Sequence, residues 1–492
     1  MRGPLAGLST ILRRCGLAVV LMCTVCRPLH AVVELPNIGD SSETVLSIEQ
    51  EQRLGEAFMR NLRQSLKIVN DPEVDAYIQT LGYRLVAGSE TLGRSFNFFV
   101  VEDSNINAFA GPGGYIGINS GLILTTESED ELASVIAHEV AHVTQRHLAR
   151  TFEAASKMSL PMTAAVIAAI ILGSKQGQLG GAALAAVTAG NIQSQINFTR
   201  ENEKEADRVG IQILASAGYD PRSMPLFFER LQRATRGQED AQYSFLQTHP
   251  VTHDRIADTL NRAEQYHIKP TAHGDSYELI KAKLRVITDN DPQHSVLFFS
   301  KALEGARDND ALRYGLALAL QASGQQDKAR AQIEPLIRHD PDRIAYEILL
   351  AQIELADGHV DKGLKIYQRN LDLYPHNQPL TMLYAQALLR NDRPEQAKAV
   401  ISDYMWRRKP TPQLYTLLAQ ADTATGRLAE AHQDLSEYYY LTGNTAVAIE
   451  QLNIALRYVA EDDTHQLAKI NARLAQFKEE YKQEKKRGDP EP

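Results

Sequence analysis

Cysteine is almost missing from this chain of 492 residues: Cys15, Cys23 and Cys26 are all there is. They fall in an apolar run, Cys15 to Cys26, preceded by Arg2, Arg13 and Arg14 and followed by Arg27-Pro28-Leu29-His30-Ala31. That pattern predicts a secretory leader over 1–31, cleaved near Ala31. The mature chain would then hold no cysteine, which excludes disulfides and leaves cysteine out of any redox argument. Long apolar runs are missing too. The leader core and the stretch Leu160 to Ile171 both fall short of the roughly 20 residues a membrane span needs, which excludes a membrane-embedded protein. Positive charge is in deficit. Losing Arg2, Arg13, Arg14 and Arg27 with the leader takes the formal net charge from -9 to -13. An acidic balance of that size argues against nucleic acid as a partner.

What is present is concentrated in a few motifs. Glu131 to Arg150 is rich in helix formers and carries His138-Glu139-Val140-Ala141-His142. Positions i and i+4 share a helix face, so both imidazoles can reach one ion, and Glu139 is placed to take a proton from a water on it. A hydrolytic zinc site needs a third protein ligand. The position six residues beyond the second histidine is Leu148, and His147 is about 100° of rotation away from it. His147 is therefore read as a surface histidine or one that backs a ligand. Downstream, Glu203 and Asp207 share a face at i, i+4. One can ligate while the other accepts the spare N–H of a ligating imidazole. Glu201 and Glu205 are read as solvated charges at a helix start.

With these motifs in hand, His138-Glu-x-x-His142 followed by Glu203-x-x-x-Asp207 resembles the M48 family of gluzincin metallopeptidases. Asn107 to Ile116 before the metal helix, with Ser120-Gly121-Leu122, and Thr248-His249-Pro250 with Arg255-Ile256 match that family's order as well. The resemblance implies one Zn2+ per subunit on His138, His142 and Glu203, with Glu139 as general base and acid. Asp207 would partner a ligating histidine. His249 is a candidate fourth ligand that could hold the site inactive until displaced, and Arg255 a candidate transition-state helper.

Two segments bear on substrate access. Phe96 to Val101 and Tyr115 to Asn119 read as strands joined through Gly111-Pro112-Gly113-Gly114, a hairpin whose edge at Gly113, Gly114, Tyr115 and Ile116 could take an extended peptide. The apolar stretch from Leu160 and the Gly/Ala-rich Gly173 to Gly190 could form a flap over the site or touch a bilayer surface. The alternative is a core helix followed by a loop.

Beyond about residue 265 the chain repeats every 34 residues. Ala317, Ala351, Ala385 and Ala419 recur in register. So do Gly324, Gly358, Asp392 and Gly426, and then Ala329, Gly363, Ala397 and Ala431. Small residues where paired helices approach and turn residues between them are the tetratricopeptide signature. The expected class is mainly α: a gluzincin peptidase domain, helical with a small β-sheet, followed by an α-solenoid. The expected domains are a leader at 1–31, peptidase at 32–265, repeats at 270–477 and a disordered tail at 478–492. Tyr384, Tyr404, Trp406, Tyr415 and Tyr438 to Tyr440 are candidate anchors on the concave face, with most expected in the inter-helix core.

Leader, M48 motifs and repeats together resemble M48 peptidases of the Gram-negative periplasm. That resemblance implies degradation of unfolded or stalled outer-membrane β-barrel proteins and help in assembling others. It also implies contact through the repeats with the barrel assembly machinery and the lipopolysaccharide-transport barrel. The alternative is a repeat-based periplasmic chaperone or adaptor whose metal site is latent or residual.

Overall fold

The structure, a computed structural model, describes residues 47–89, 94–153, 200–234, 243–266, 276–408 and 410–488. The chain divides into residues 1–44, which fall outside this set, and Val45–Pro492, to which everything below refers. The expected leader and the stretch 160–190 also lie outside the described residues. Among those described, no helix is long and apolar enough to cross a membrane.

The chain is mainly helical with one small sheet. Helices α1 (Ile48–Ser65) and α2 (Pro72–Ala87) come first. Strands β1 (Asn97–Val101), β2 (Ala108–Ala110) and β3 (Tyr115–Asn119) follow, then α3 (Ser120–Thr125), α4 (Glu129–Thr144) and α5 (His147–Glu153). Next come α6 (Arg200–Ser216), α7 (Ser223–Ala234), α8 (Ser244–Thr248) and α9 (His253–Ala263).

Helix α4 starts where Ser128 caps it by accepting from the Glu131 N–H, with Glu129, Asp130 and Glu131 in the first turn against the helix dipole. Leu132 to Val143 are all buried, because α2, α6, α7 and the sheet surround the helix. That environment explains why the helix reads as apolar almost all round. Helix α6 lies close against it through Gly210, where a Cβ would stand 3.3 Å from the His138 Cα.

The sheet corrects the expected hairpin. β1 and β3 pair in parallel, and the short β2 between them in sequence pairs antiparallel with β3. The strand order is β1-β3-β2, so Tyr115 and Ile116 lie in the central strand with both ladders taken. Gly113 and Gly114 belong to a tight turn, both with φ near +70°. The edge expected at 113–116 is therefore not an edge. The terminal strands are β1 and β2, and β2 is a segment too short to show a period-2 pattern.

The repeat region runs from α10 (Ser276–Thr288) to α21 (Thr464–Gly488) as paired helices. The turn positions adopt the left-handed conformation: Gly324 at φ 77°, Gly358 at 84°, Asp392 at 55° and Gly426 at 76°. After each, the next amide closes back on the carbonyl five residues before it, as in Gln325 N–H to Leu320 O at 2.9 Å and Arg427 N–H to Asp422 O at 2.8 Å. Ala317, Ala351, Ala385 and Ala397 have no exposed surface, so the small residues sit where helices meet.

The repeats are not a free-standing platform, because some of their helices pack on the peptidase region. The A helix Gln378–Arg390 packs on α2, and Tyr314, Ile348 and Met382 are buried. Lys283 of α10 lies between Asp71, at 3.2 Å, and Glu73 at the start of α2. At the far end, a Cβ on Gly443 would overlap the Arg60 side chain of α1. Of the candidate anchors, Tyr384 and Tyr404 are buried, Tyr415 and Tyr438 to Tyr440 are half-buried, and Trp406 is 86% exposed. The expected disordered tail is also revised: α21 continues to Gly488. Phe477, fully buried and stacked on Tyr440 at 4.3 Å, anchors it there.

Candidate metal centre

Four side chains from three segments converge. His138 and His142 come from α4, Glu203 from α6 and His249 from the end of α8. One ligand atom of each lies within 4.8 Å of all the others, and all four residues are buried. His138 Nε2 is 3.0 Å from His142 Nε2 and 3.5 Å from Glu203 Oε2. His142 Nε2 is 3.4 Å from Glu203 Oε1. Those separations match the roughly 3.3 Å between neighbouring ligands expected of a tetrahedral ion with bonds near 2.0–2.1 Å. The two nitrogens and the carboxylate suit such an ion chemically, so the residues fit a metal.

Around this set lie the supports. Asp207 Oδ1 is 3.0 Å from His138 Nδ1, one turn beyond Glu203 on the same helix. Arg255 donates to both Asp207 oxygens at 2.7 Å, to Pro250 O at 2.9 Å, and pairs with Glu203 at 2.9 Å. Its Nε, Nη1 and Nη2 are therefore engaged by carboxylates and a carbonyl. This argues against the transition-state helper read from sequence and makes Arg255 a clamp on the two acids. His147, buried, and Glu205 join them: His147 Nδ1 is 2.8 Å from His142 Nδ1, and its Nε2 is 3.1 Å from Glu205. Glu205 is thus not the solvated charge that sequence suggested. Nothing in a helical-period pattern pointed to it, because 147 and 205 meet only across two helices.

The charges here are strongly biased. Burial opposes ionisation of Glu203, but His249, His138 and His142 outweigh it and hold the carboxyl well below its usual range. Burial also opposes the His138 imidazolium, yet the carboxylates of Asp207 and Glu203, as acceptors of its N–H groups, keep its pKa up at about 9. His142 is driven the other way, mainly by burial. Glu139 is pushed up by burial. The Ala110 amide of β2 faces its carboxylate, but neither oxygen has a hydrogen bond of ordinary geometry. A fully buried carboxylate left unsatisfied beside a ligand cluster is costly to keep and signals function. His249 lies over this point, its Nδ1 3.1 Å from Glu203 and its Nε2 3.5 Å from Glu139. The Phe245 ring stacks on it at 4.8 Å and holds it there.

Residues 72–263 match Peptidase family M48, and 287–353 and 354–421 match the tetratricopeptide repeat. The beta-barrel assembly-enhancing protease of Escherichia coli K12 is 34% identical over 90% of this chain and 91% of its own length. The chain belongs to peptidase family M48. The beta-barrel assembly-enhancing protease of Yersinia pestis is also 34% identical, over 90% of this chain and 91% of its own. A more distant M48-like relative, the mitochondrial metalloendopeptidase OMA1 of Schizosaccharomyces pombe, is 30% identical over 37% of this chain and 50% of its own length. This M48 chain is a metallopeptidase with a tetratricopeptide region.

Proposed function

We propose that this M48 protein is a periplasmic zinc metalloendopeptidase that acts on outer-membrane β-barrel proteins, degrading misassembled ones and assisting the assembly of others. His138, His142 and Glu203 hold the zinc. The observation that carries this reading is the buried cluster of four ligand atoms with the unsatisfied Glu139 carboxylate beside it. A zinc ion so held supplies Lewis acidity, lowering the pKa of a water and polarising a scissile carbonyl. Glu139 would be the proton carrier, its carboxylate accepting a proton from the attacking water and returning it to the leaving amine; burial raises its pKa and suits it to both halves of the transfer. Asp207, 3.0 Å from His138 Nδ1, would keep the His138 proton there and leave the Nε2 lone pair available to hold the zinc. The outer side of the terminal strand β2, Ala108–Ala110, takes the substrate backbone beside the metal helix.

His249 occupies the space between the ligand cluster and Glu139, and there it holds the enzyme latent. That position also favours the second reading, a chaperone or adaptor that rarely cuts. The similarity to beta-barrel assembly-enhancing proteases supports the client class, and the expected leader supports a periplasmic address. The repeats, with Trp406 exposed, contact the barrel assembly machinery and the lipopolysaccharide-transport barrel. We retain the division into peptidase at 32–265 and repeats at 270–477.

The test is cleavage of an unfolded outer-membrane β-barrel protein by the purified mature chain. Glu139→Gln, with zinc content verified, should lower the rate by about 10²–10⁴-fold. His249→Ala should raise it with zinc retained. A cutting Glu139→Gln protein would remove Glu139 as the base. If neither the wild type nor His249→Ala cuts, the chaperone reading stands instead.

A further inference from the structure

Helix α4 does not run on into α5. Arg146, with φ 54°, turns the chain through the left-handed region just before His147 opens α5. In an unbroken helix position 147 would lie about 140° around the axis from 142. The turn instead brings the two rings together, 4.9 Å between centres and 75° apart in plane.

The hydrogen bonds assign the protons. The Glu205 carboxylate, shared with Arg150 at 3.0 Å, can only accept. His147 therefore carries its proton on Nε2, 3.1 Å from Glu205, and presents a lone pair at Nδ1. His142 must donate into that lone pair from its own Nδ1, 2.8 Å away. Its Nε2 lone pair is then left facing Glu203 and His138. Asp207 Oδ1 approaches the His138 Nδ1 directly, at 3.0 Å, without an intermediary. One helix, α6, thus supplies a ligand through Glu203 and backs both histidines through Glu205 and Asp207.

We propose that His147, held by Glu205, is a positioning residue for the metal: it fixes the tautomer and ring plane of His142. This rests on the ligand set given above. Supports of this kind are worth 10–100-fold in metal affinity.

The test titrates Zn2+ into the metal-free mature chain against a chromophoric chelator, beside thermal melting of each metal-free variant. His147→Ala should bind Zn2+ about 10–100-fold more weakly with little change in melting. His147→Asn, whose amide oxygen can accept the same hydrogen bond, should recover most of the affinity. His142→Ala should lose high-affinity binding. If His142→Ala binds like the wild type, the ligand set itself is wrong. If it fails to bind while His147→Ala stays within about twofold of the wild type, only the positioning role is wrong. Equal loss in His147→Ala and His147→Asn, with lower melting in both, would make His147 a packing residue and overturn the proposal.

Discussion

Paired charge is assembled in two opposite ways in this molecule, buried at the metal centre and partly or wholly exposed in the repeats. At the metal centre, His138 meets His249 across 111 positions of chain, and Asp207 meets Arg255 across 48. In the repeats two much shorter spacings recur. Arg330 pairs with Glu354 and Lys398 with Asp422, each 24 positions on, at 3.0 and 2.5 Å. Arg393 pairs with Asp361 and Arg427 with Glu395, each across 32 positions, both at 2.5 Å. The repeat pairs reach only into a neighbouring helix pair, so their energies behave as nearest-neighbour terms. The centre has no such modularity: each member satisfies another from a distant segment, and losing one strands the rest. Where charge is buried matters less than how many separate segments must arrive together to satisfy it.

The largest effect expected from this contrast is at Arg255. Arg255→Ala leaves Asp207 and Glu203 as buried carboxylates without their cation, and should cost about 3–5 kcal/mol in the metal-free protein. Chemical denaturation with and without Zn2+ measures it, and the loss should shrink when the ion is bound. A cost as small as that of breaking a repeat pair would erase the distinction drawn here.

A smaller effect is expected inside the repeats. Burial, with the Asp422 carboxylate close by, pushes the Asp434 pKa up to about 8. Its unfolded value lies near 3.9, so between these values the folded chain binds the extra proton. Stability contributed by that proton is therefore complete at acid pH and is lost as pH rises toward about 8. Asp434→Asn should stabilise the protein by roughly 1–2 kcal/mol at pH 9, allowing for screening by solvent and nearby lysines, and change little at pH 4. Melting curves at the two pH values check the sign, and a benefit confined to acid pH would contradict it.

The smallest effect concerns the turns between repeat helices. At Gly358, φ is 84° and a Cβ would meet nothing within 4 Å, so Gly358→Ala isolates backbone strain and should cost about 1 kcal/mol. Asp392 stands in the equivalent turn at φ 55°, and Asp392→Gly should move stability the other way by a similar or smaller amount. Equal and local changes would support independent repeats; a shift in metal affinity would couple the two regions.

The primary structure by itself determined whatever repeats or lies within one helix turn. The 34-residue register is set by steric rules that act locally. Only small residues allow close helix pairs, and only residues tolerant of positive φ turn the chain between them, so composition at fixed spacing was enough. His138, Glu139 and His142 were legible for the same reason, since i and i+4 share a face wherever the helix goes. Glu203 and Asp207 could be matched to each other by spacing, and to the histidines only by resemblance to a family. Tertiary structure alone decided the rest. It put β3 between β1 and β2, packed a repeat helix onto α2, and set Arg255 on two acids. It also joined His147 to Glu205 across 58 positions. These contacts depend on chain closure over long separations, where the alternatives differ in packing and desolvation rather than in any local preference, so no short pattern in the chain encodes them.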